Sequence, residues 1–432
     1  MQPDLDRRAV LSHGAAFALI ASMGARIAPL YAQASDSGSG SGSAAGPHPF
    51  RIQIADATLA EIRRRVSAVK WPTTSKGAHW KYGVDPDWFR DIVGYWRDRY
   101  DWRAQEAALN KTPQFMANVA GRNFHYAHLR PAANAGQRRP ALLLLHGWPY
   151  TFATMLPLAE RMARYGFEVV VPSLPGFAFS PAADDQVRGL RFIAKRIDSL
   201  LTQVLGHDRY LVHGGDFGAV VADWLALDTK HVIGIHANMI SFRHHGAEFG
   251  SGNVAVADAT PEENAFVAAE KANVQKESAY FQLQLTRPET LVYALADSPV
   301  GWAAYVLDKW QKWTDPQEGA FDTVYGRDRL LTEVMLYLVT DSIATAIWPY
   351  AGFATEPFSL EPGQKITVPF GYSEFPDPLL VTPTPRHFVA RSRTDIRMWR
   401  IHERGGHFPM LEQTDVLADD LRDFADTVHS SA

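Results

Sequence analysis

The chain has 432 residues, 46% of them hydrophobic and 21% charged, with a formal net charge of −4. That balance fits one large folded domain or two modest ones, excludes a disordered chain and argues against nucleic acid as a partner. There is no cysteine, which excludes a thiol nucleophile, a disulfide framework and Cys-ligated metal, so any catalytic role falls to oxygen or nitrogen chemistry. Twelve Trp, fifteen Tyr and twenty-three Phe point to an apolar pocket.

Residues 1–34 are set apart from the fold. Asp6-Arg7-Arg8-Ala9-Val10-Leu11-Ser12 precedes an apolar stretch from Gly14 to Gly24 and then Ala32-Gln33-Ala34, the order of a twin-arginine export signal with its cleavage site. The stretch is shorter than the roughly 20 residues that span a bilayer. The expectation is a periplasmic or secreted protein with no membrane contact after signal removal. Residues 35–46 form a Gly/Ser linker with nothing to bury.

Leu59, Ile62, Val66 and Val69, then Trp88, Ile92, Tyr95 and Trp96, recur at helical spacing and predict two amphipathic helices within 56–100, the first ended by Trp71-Pro72. They make 47–122 an N-terminal helical layer. From residue 123 the pattern changes to short apolar runs: 142–145, 169–171, 210–212, 232–235, 366–368 and 398–401, read as buried parallel strands. Alternation with helices such as Ala219–Leu227 predicts an α/β class, a mostly parallel doubly wound sheet over 123–240 and 360–432, with 241–359 as a helical lid. Ligands of such sheets bind beyond the carboxyl ends of the strands.

Three strand ends carry chemistry. In Tyr210-Leu211-Val212-His213-Gly214-Gly215-Asp216-Phe217-Gly218, small residues flank Asp216 as in a nucleophile elbow, with Asp in place of Ser. A carboxylate there attacks an sp³ carbon and leaves an ester that water can cleave. An Asp that merely caps the next helix needs no glycines on both sides. Leu145-His146-Gly147-Trp148-Pro149 occupies the loop that supplies an oxyanion-hole amide, so the backbone N–H groups of Trp148 and Phe217 are the candidate pair. Near the C-terminus, His402-Glu403-Arg404-Gly405-Gly406-His407 offers His407 as the base. A metalloprotease helix is excluded there by the five-residue His spacing and paired glycines. The acid that orients His407 should follow the 366–368 strand: Asp377 first, Glu374 second.

His-Gly-Trp-Pro at 146–149, Gly-Gly-Asp-Phe-Gly at 214–218 and Gly-Gly-His-Phe at 405–408 resemble the microsomal-type epoxide hydrolases, members of the α/β-hydrolase superfamily, over about residues 48–428. Opening an epoxide calls for a proton donor to the ring oxygen, and phenols are neutral donors at pH 7. The lid stretch holds Tyr280, Tyr293, Tyr305, Tyr325, Tyr337 and Tyr350. The resemblance implies that Tyr280 and Tyr350 are the paired donors, and that the small-molecule substrate, held by Trp148, Phe217 and these phenols, is an apolar epoxide. The chemistry requires no cofactor or metal. Haloalkane dehalogenase is the nearest alternative, disfavoured because Phe217 has no donor for a halide; a catalytically silent binding protein is the other. Whether the chain forms a homodimer stays open.

Overall fold

The computed structural model describes residues 46–131, 139–356 and 359–429. The export-signal segment, and all of the linker except Gly46, lie outside the described residues.

Among the described residues nine strands form one sheet: β1 His48–Phe50, β2 Gln114–Val119, β3 Arg122–Leu129, β4 Ala141–Leu145, β5 Val169–Pro172, β6 Tyr210–Gly214, β7 Val232–Ala237, β8 Phe370–Glu374 and β9 Ile396–Ile401. Their order is β1-β2-β3-β5-β4-β6-β7-β8-β9. The first three pair antiparallel and join β5 antiparallel, while β5 through β9 run parallel. Leu142 to Leu145 are fully buried, as expected of a central strand covered on both faces. Leu145 pairs with Gly214, so the strand ends that carry His146 and Asp216 lie side by side.

The N-terminal layer consists of α1 Asp56–Ser67, α2 Pro86–Asp98 and α3 Trp102–Leu109. Helices α4 Phe152–Arg164, α5 Leu190–Ser199 and α6 Phe217–Asp228 alternate with the strands. Between β7 and β8 the described residues form seven α-helices: α7 Pro261–Glu277, α8 Ala279–Thr286, α9 Pro288–Asp297, α10 Pro299–Trp313, α11 Phe321–Tyr325, α12 Arg327–Val339 and α13 Ile343–Gly352. The chain closes with α14 Arg386–Ala390, α15 Pro409–Glu412 and α16 Thr414–His429. Among the described residues no single helix is long and apolar enough to cross a membrane.

Several expectations need correction. The strand assigned to 366–368 is Phe370–Glu374; Ile366 makes only an isolated bridge to Arg393. Gly371 lies inside this strand, where a Cβ would come within 2.6 Å of the Phe424 ring. The last strand is an edge strand rather than a buried one, with Ile401 57% exposed. Helix α1 stops at Ser67, before Trp71-Pro72. The segment assigned to a helical layer also contributes β1 and β2.

Candidate active site

The turn from β6 into α6 holds Asp216 at φ 49° and ψ −130°, a strained backbone that the surroundings must enforce. The glycines permit it. A Cβ on Gly214 would lie 2.4 Å from the Gly218 carbonyl carbon, and one on Gly218 would lie 2.4 Å from the Leu145 oxygen. The carboxylate so lifted accepts two backbone N–H bonds on one oxygen: Trp148 donates to Oδ1 at 2.9 Å and Phe217 at 2.7 Å. These are the two amides expected from the sequence. Oδ2 is left facing His407, whose Nε2 stands 3.6 Å away, beyond hydrogen-bond range.

His407 is fully buried and its Nε2 has no hydrogen-bond partner, while Nδ1 meets Asp377 Oδ2 at 2.7 Å. Burial alone would push the imidazole down, but the charge of Asp377 and the carboxylate of Asp216 outweigh it and hold the pKa up at about 10. Asp377 is therefore the acid on the histidine. Glu374 stays on β8, where its Oε2 accepts from the Thr384 N–H at 2.8 Å. His402 turns away to Asp420 at 2.6 Å.

Tyr280 on α8 and Tyr350 on α13 line one cavity with Asp216 and Phe217, about 380 Å³ in volume. Their rings lie 6.2 Å apart at 82°, and Tyr280 stacks on Trp148 at 5.6 Å. Burial, then neighbouring phenol and Asp216 charge, push both phenols well above 10, so both stay protonated. Val220, Ile240, Phe281, Phe353 and Leu380 supply apolar wall. Of the other four tyrosines of the stretch, Tyr337 donates to the Tyr150 carbonyl at 2.9 Å, Tyr325 pairs with Thr314 at 2.9 Å, Tyr293 is 80% exposed, and Tyr305 packs edge-on against Trp148 at 5.9 Å with its buried hydroxyl unpartnered.

Residues 47–155 match the family described as "Epoxide hydrolase N terminus", and 142–420 match the alpha/beta hydrolase family. Epoxide hydrolase 1 of Sus scrofa is 30% identical, the alignment covering 87% of this chain and 88% of that protein. The chain belongs to the epoxide hydrolase family. Juvenile hormone epoxide hydrolase 2 of Ctenocephalides felis is 32% identical over 86% of this chain and 84% of its own length. The crystal structure of the Aspergillus niger epoxide hydrolase superposes with a TM-score of 0.74 at 27% identity, covering 89% of this chain and 97% of that one.

This epoxide hydrolase also has supports that sequence reasoning did not find. The His407 N–H donates to the Trp313 carbonyl at 2.9 Å, and the Trp313 ring lies 4.9 Å from the imidazole. Glu412 fixes the histidine loop by accepting from Phe408 N at 3.0 Å and Asp315 N at 2.9 Å, while Asp315 accepts from Gly405 N at 2.9 Å. His146 accepts from Leu174 N at 3.0 Å and so braces the loop before Trp148. Of these, His146 stands inside the His-Gly-Trp-Pro motif and Glu412 five residues after His407, while Trp313 and Asp315 lie in the stretch read as lid.

Proposed function

We propose that the enzyme converts apolar epoxides to vicinal diols through an ester on Asp216. Oδ2 attacks an epoxide carbon, the carbon–oxygen bond breaks, and the ring oxygen takes a proton from the Tyr280–Tyr350 pair. The ester removes one of the two carboxylate charges that hold the His407 pKa up. The imidazolium then gives up its proton, which makes good the one lost by the phenols, and Nε2 becomes a base. Water delivers a proton to Nε2 as its oxygen attacks Cγ, and negative charge grows on Oδ1. The alkoxide leaves with that proton as the second hydroxyl of the diol.

The observation that carries this reading is the division of labour between the two oxygens of Asp216: Oδ1 in the grip of two amides, Oδ2 turned toward the imidazole. Donors placed where charge develops contribute much of the acceleration in such steps. A single turnover in ¹⁸O-water tests it. Label should enter the Asp216 carboxylate and be absent from the diol; label in the diol would mean direct attack by water and refute the ester. Asp216→Ala should abolish turnover, and absence of halide release from a bromoalkane separates the reading from a dehalogenase. The apolar wall supports substrates with hydrocarbon substituents over charged ones.

We also propose that residues 1–34 direct twin-arginine export. Arg7→Lys with Arg8→Lys should leave the protein in the cytoplasm, measured by cell fractionation; unchanged export would refute it.

A further inference from the structure

At the opposite end of the sheet from Asp216, three side chains from distant parts of the chain converge. His128 lies near the end of β3, opposite Val170 in the ladder. Glu168 immediately precedes β5. His207 lies in the loop that leads into β6, its backbone N–H held by the Leu201 carbonyl at 2.8 Å. Glu168 Oε1 is 2.8 Å from His128 Nε2 and 3.5 Å from His207 Nε2, and the three atoms all lie within 4.8 Å of one another. Ligand atoms about 2.0–2.2 Å from a tetrahedral ion sit roughly 3.4 Å apart, so small side-chain movements would accommodate one.

Two features favour an ion over a simple hydrogen-bonded trio. His207 Nε2 is buried and has no hydrogen-bond partner, an expense that native structures seldom leave standing. The three side chains come from separate segments of the chain, and one ligand atom of each faces the other two within 4.8 Å. Two imidazoles and one carboxylate form a donor set suited to zinc-type ions rather than to calcium or magnesium.

We propose that His128, Glu168 and His207 bind one divalent transition-metal ion of the zinc type. The site lies at the amino ends of the strands whose carboxyl ends carry the reaction, so the ion ties β3 and the loop before β6 to the start of β5 and takes no part in epoxide opening.

The test uses tag-free protein stripped with a chelator and titrated calorimetrically with Zn²⁺, with Co²⁺ as a spectroscopic probe. The expected result is one ion per chain at micromolar affinity or tighter, visible cobalt absorption of low coordination number, and a melting temperature that rises with Zn²⁺. His207→Ala and Glu168→Gln should each weaken binding by at least about tenfold and erase the melting shift, while epoxide turnover stays at the wild-type rate. Absence of saturable one-to-one binding overturns the proposal, as does binding that survives both substitutions. Because His207 stands in a loop, its truncation should leave the fold intact; Glu168→Gln keeps the side chain's volume should it not.

Discussion

Asp377→Asn removes a charge without removing volume, and its effect should fall on one half of the reaction. Asp377 Oδ2 is 2.7 Å from His407 Nδ1, both side chains almost fully buried. With charge centres about 4 Å apart and an effective dielectric near 20, the carboxylate stabilises the imidazolium by about 4 kcal/mol. In the proposed mechanism the imidazolium re-forms when water attacks the ester, so that step should slow by about 10³-fold, at about 1.36 kcal/mol per decade. Ester formation does not require a new charge on His407 and should change far less. Rapid-quench single turnovers with enzyme in excess, read by intact-protein mass, should show the ester accumulate in Asp377→Asn. Glu374→Gln should hydrolyse its ester at close to the wild-type rate, since Glu374 is held by Thr384. An Asp377→Asn enzyme that clears its ester within about tenfold of wild type would refute this assignment, and ester accumulation in the Glu374→Gln enzyme would transfer the role to Glu374.

Tyr280→Phe and Tyr350→Phe should each slow ester formation by about 10–10²-fold, and the double variant by about 10³ or more, comparable to the loss of oxyanion donors, with hydrolysis of the ester unaffected; single-turnover rates separate the steps. Gly147→Ala would put a Cβ 2.2 Å from Asp216 Oδ1, displacing the carboxylate from the Trp148 amide, and turnover should fall by about 10²-fold or more with the circular dichroism spectrum retained. Burial lifts the Glu412 carboxyl from 4.5 to about 7, so the folded chain binds this proton more tightly than the unfolded one. Its contribution is full below 4.5 and is lost as pH rises toward 7, by at most roughly 3 kcal/mol. Glu412→Gln should flatten the dependence of denaturation midpoint on pH across that window.

The nucleophile elbow was legible because its constraints are local: two glycines, an Asp and the start of a helix within a few residues decide its geometry. The histidine and the oxyanion loop were legible for the same reason. Chain order places Asp377 ahead of Glu374, and it is the turn after β8 that makes it so: the Asp377 N–H donates to the Phe375 carbonyl at 2.7 Å, and the later carboxylate reaches His407. Phenols chosen by resemblance from six candidates do line the cavity, yet nothing in their local sequence separates them from Tyr337, whose hydroxyl serves the Tyr150 carbonyl. Strand β3 escaped attention because it carries Arg122, Asn123, His125 and His128. His125 is buried there with both ring nitrogens met at 2.9 Å, one by Gln114 on the neighbouring strand β2 and one by Ser173, 48 residues away.

The amides of Trp148 and Phe217 hold one oxygen of the free Asp216 carboxylate, and in the proposed mechanism they would hold the same oxygen while water attacks the ester. Their influence on the two half-reactions is therefore opposite in sign. They stabilise the resting carboxylate and blunt its attack on carbon, where negative charge leaves them; they assist the second step, where charge returns to the oxygen they hold. A stronger pair of donors would speed one step at the expense of the other. Independent adjustment of the two rates is left to groups that act on only one of them, the phenols above the epoxide and the imidazole beside the ester. Variation that adapts the enzyme to new epoxides has room in α8 and α13, which carry those phenols on the cavity wall, while the elbow and its facing loop are held in place by both steps at once.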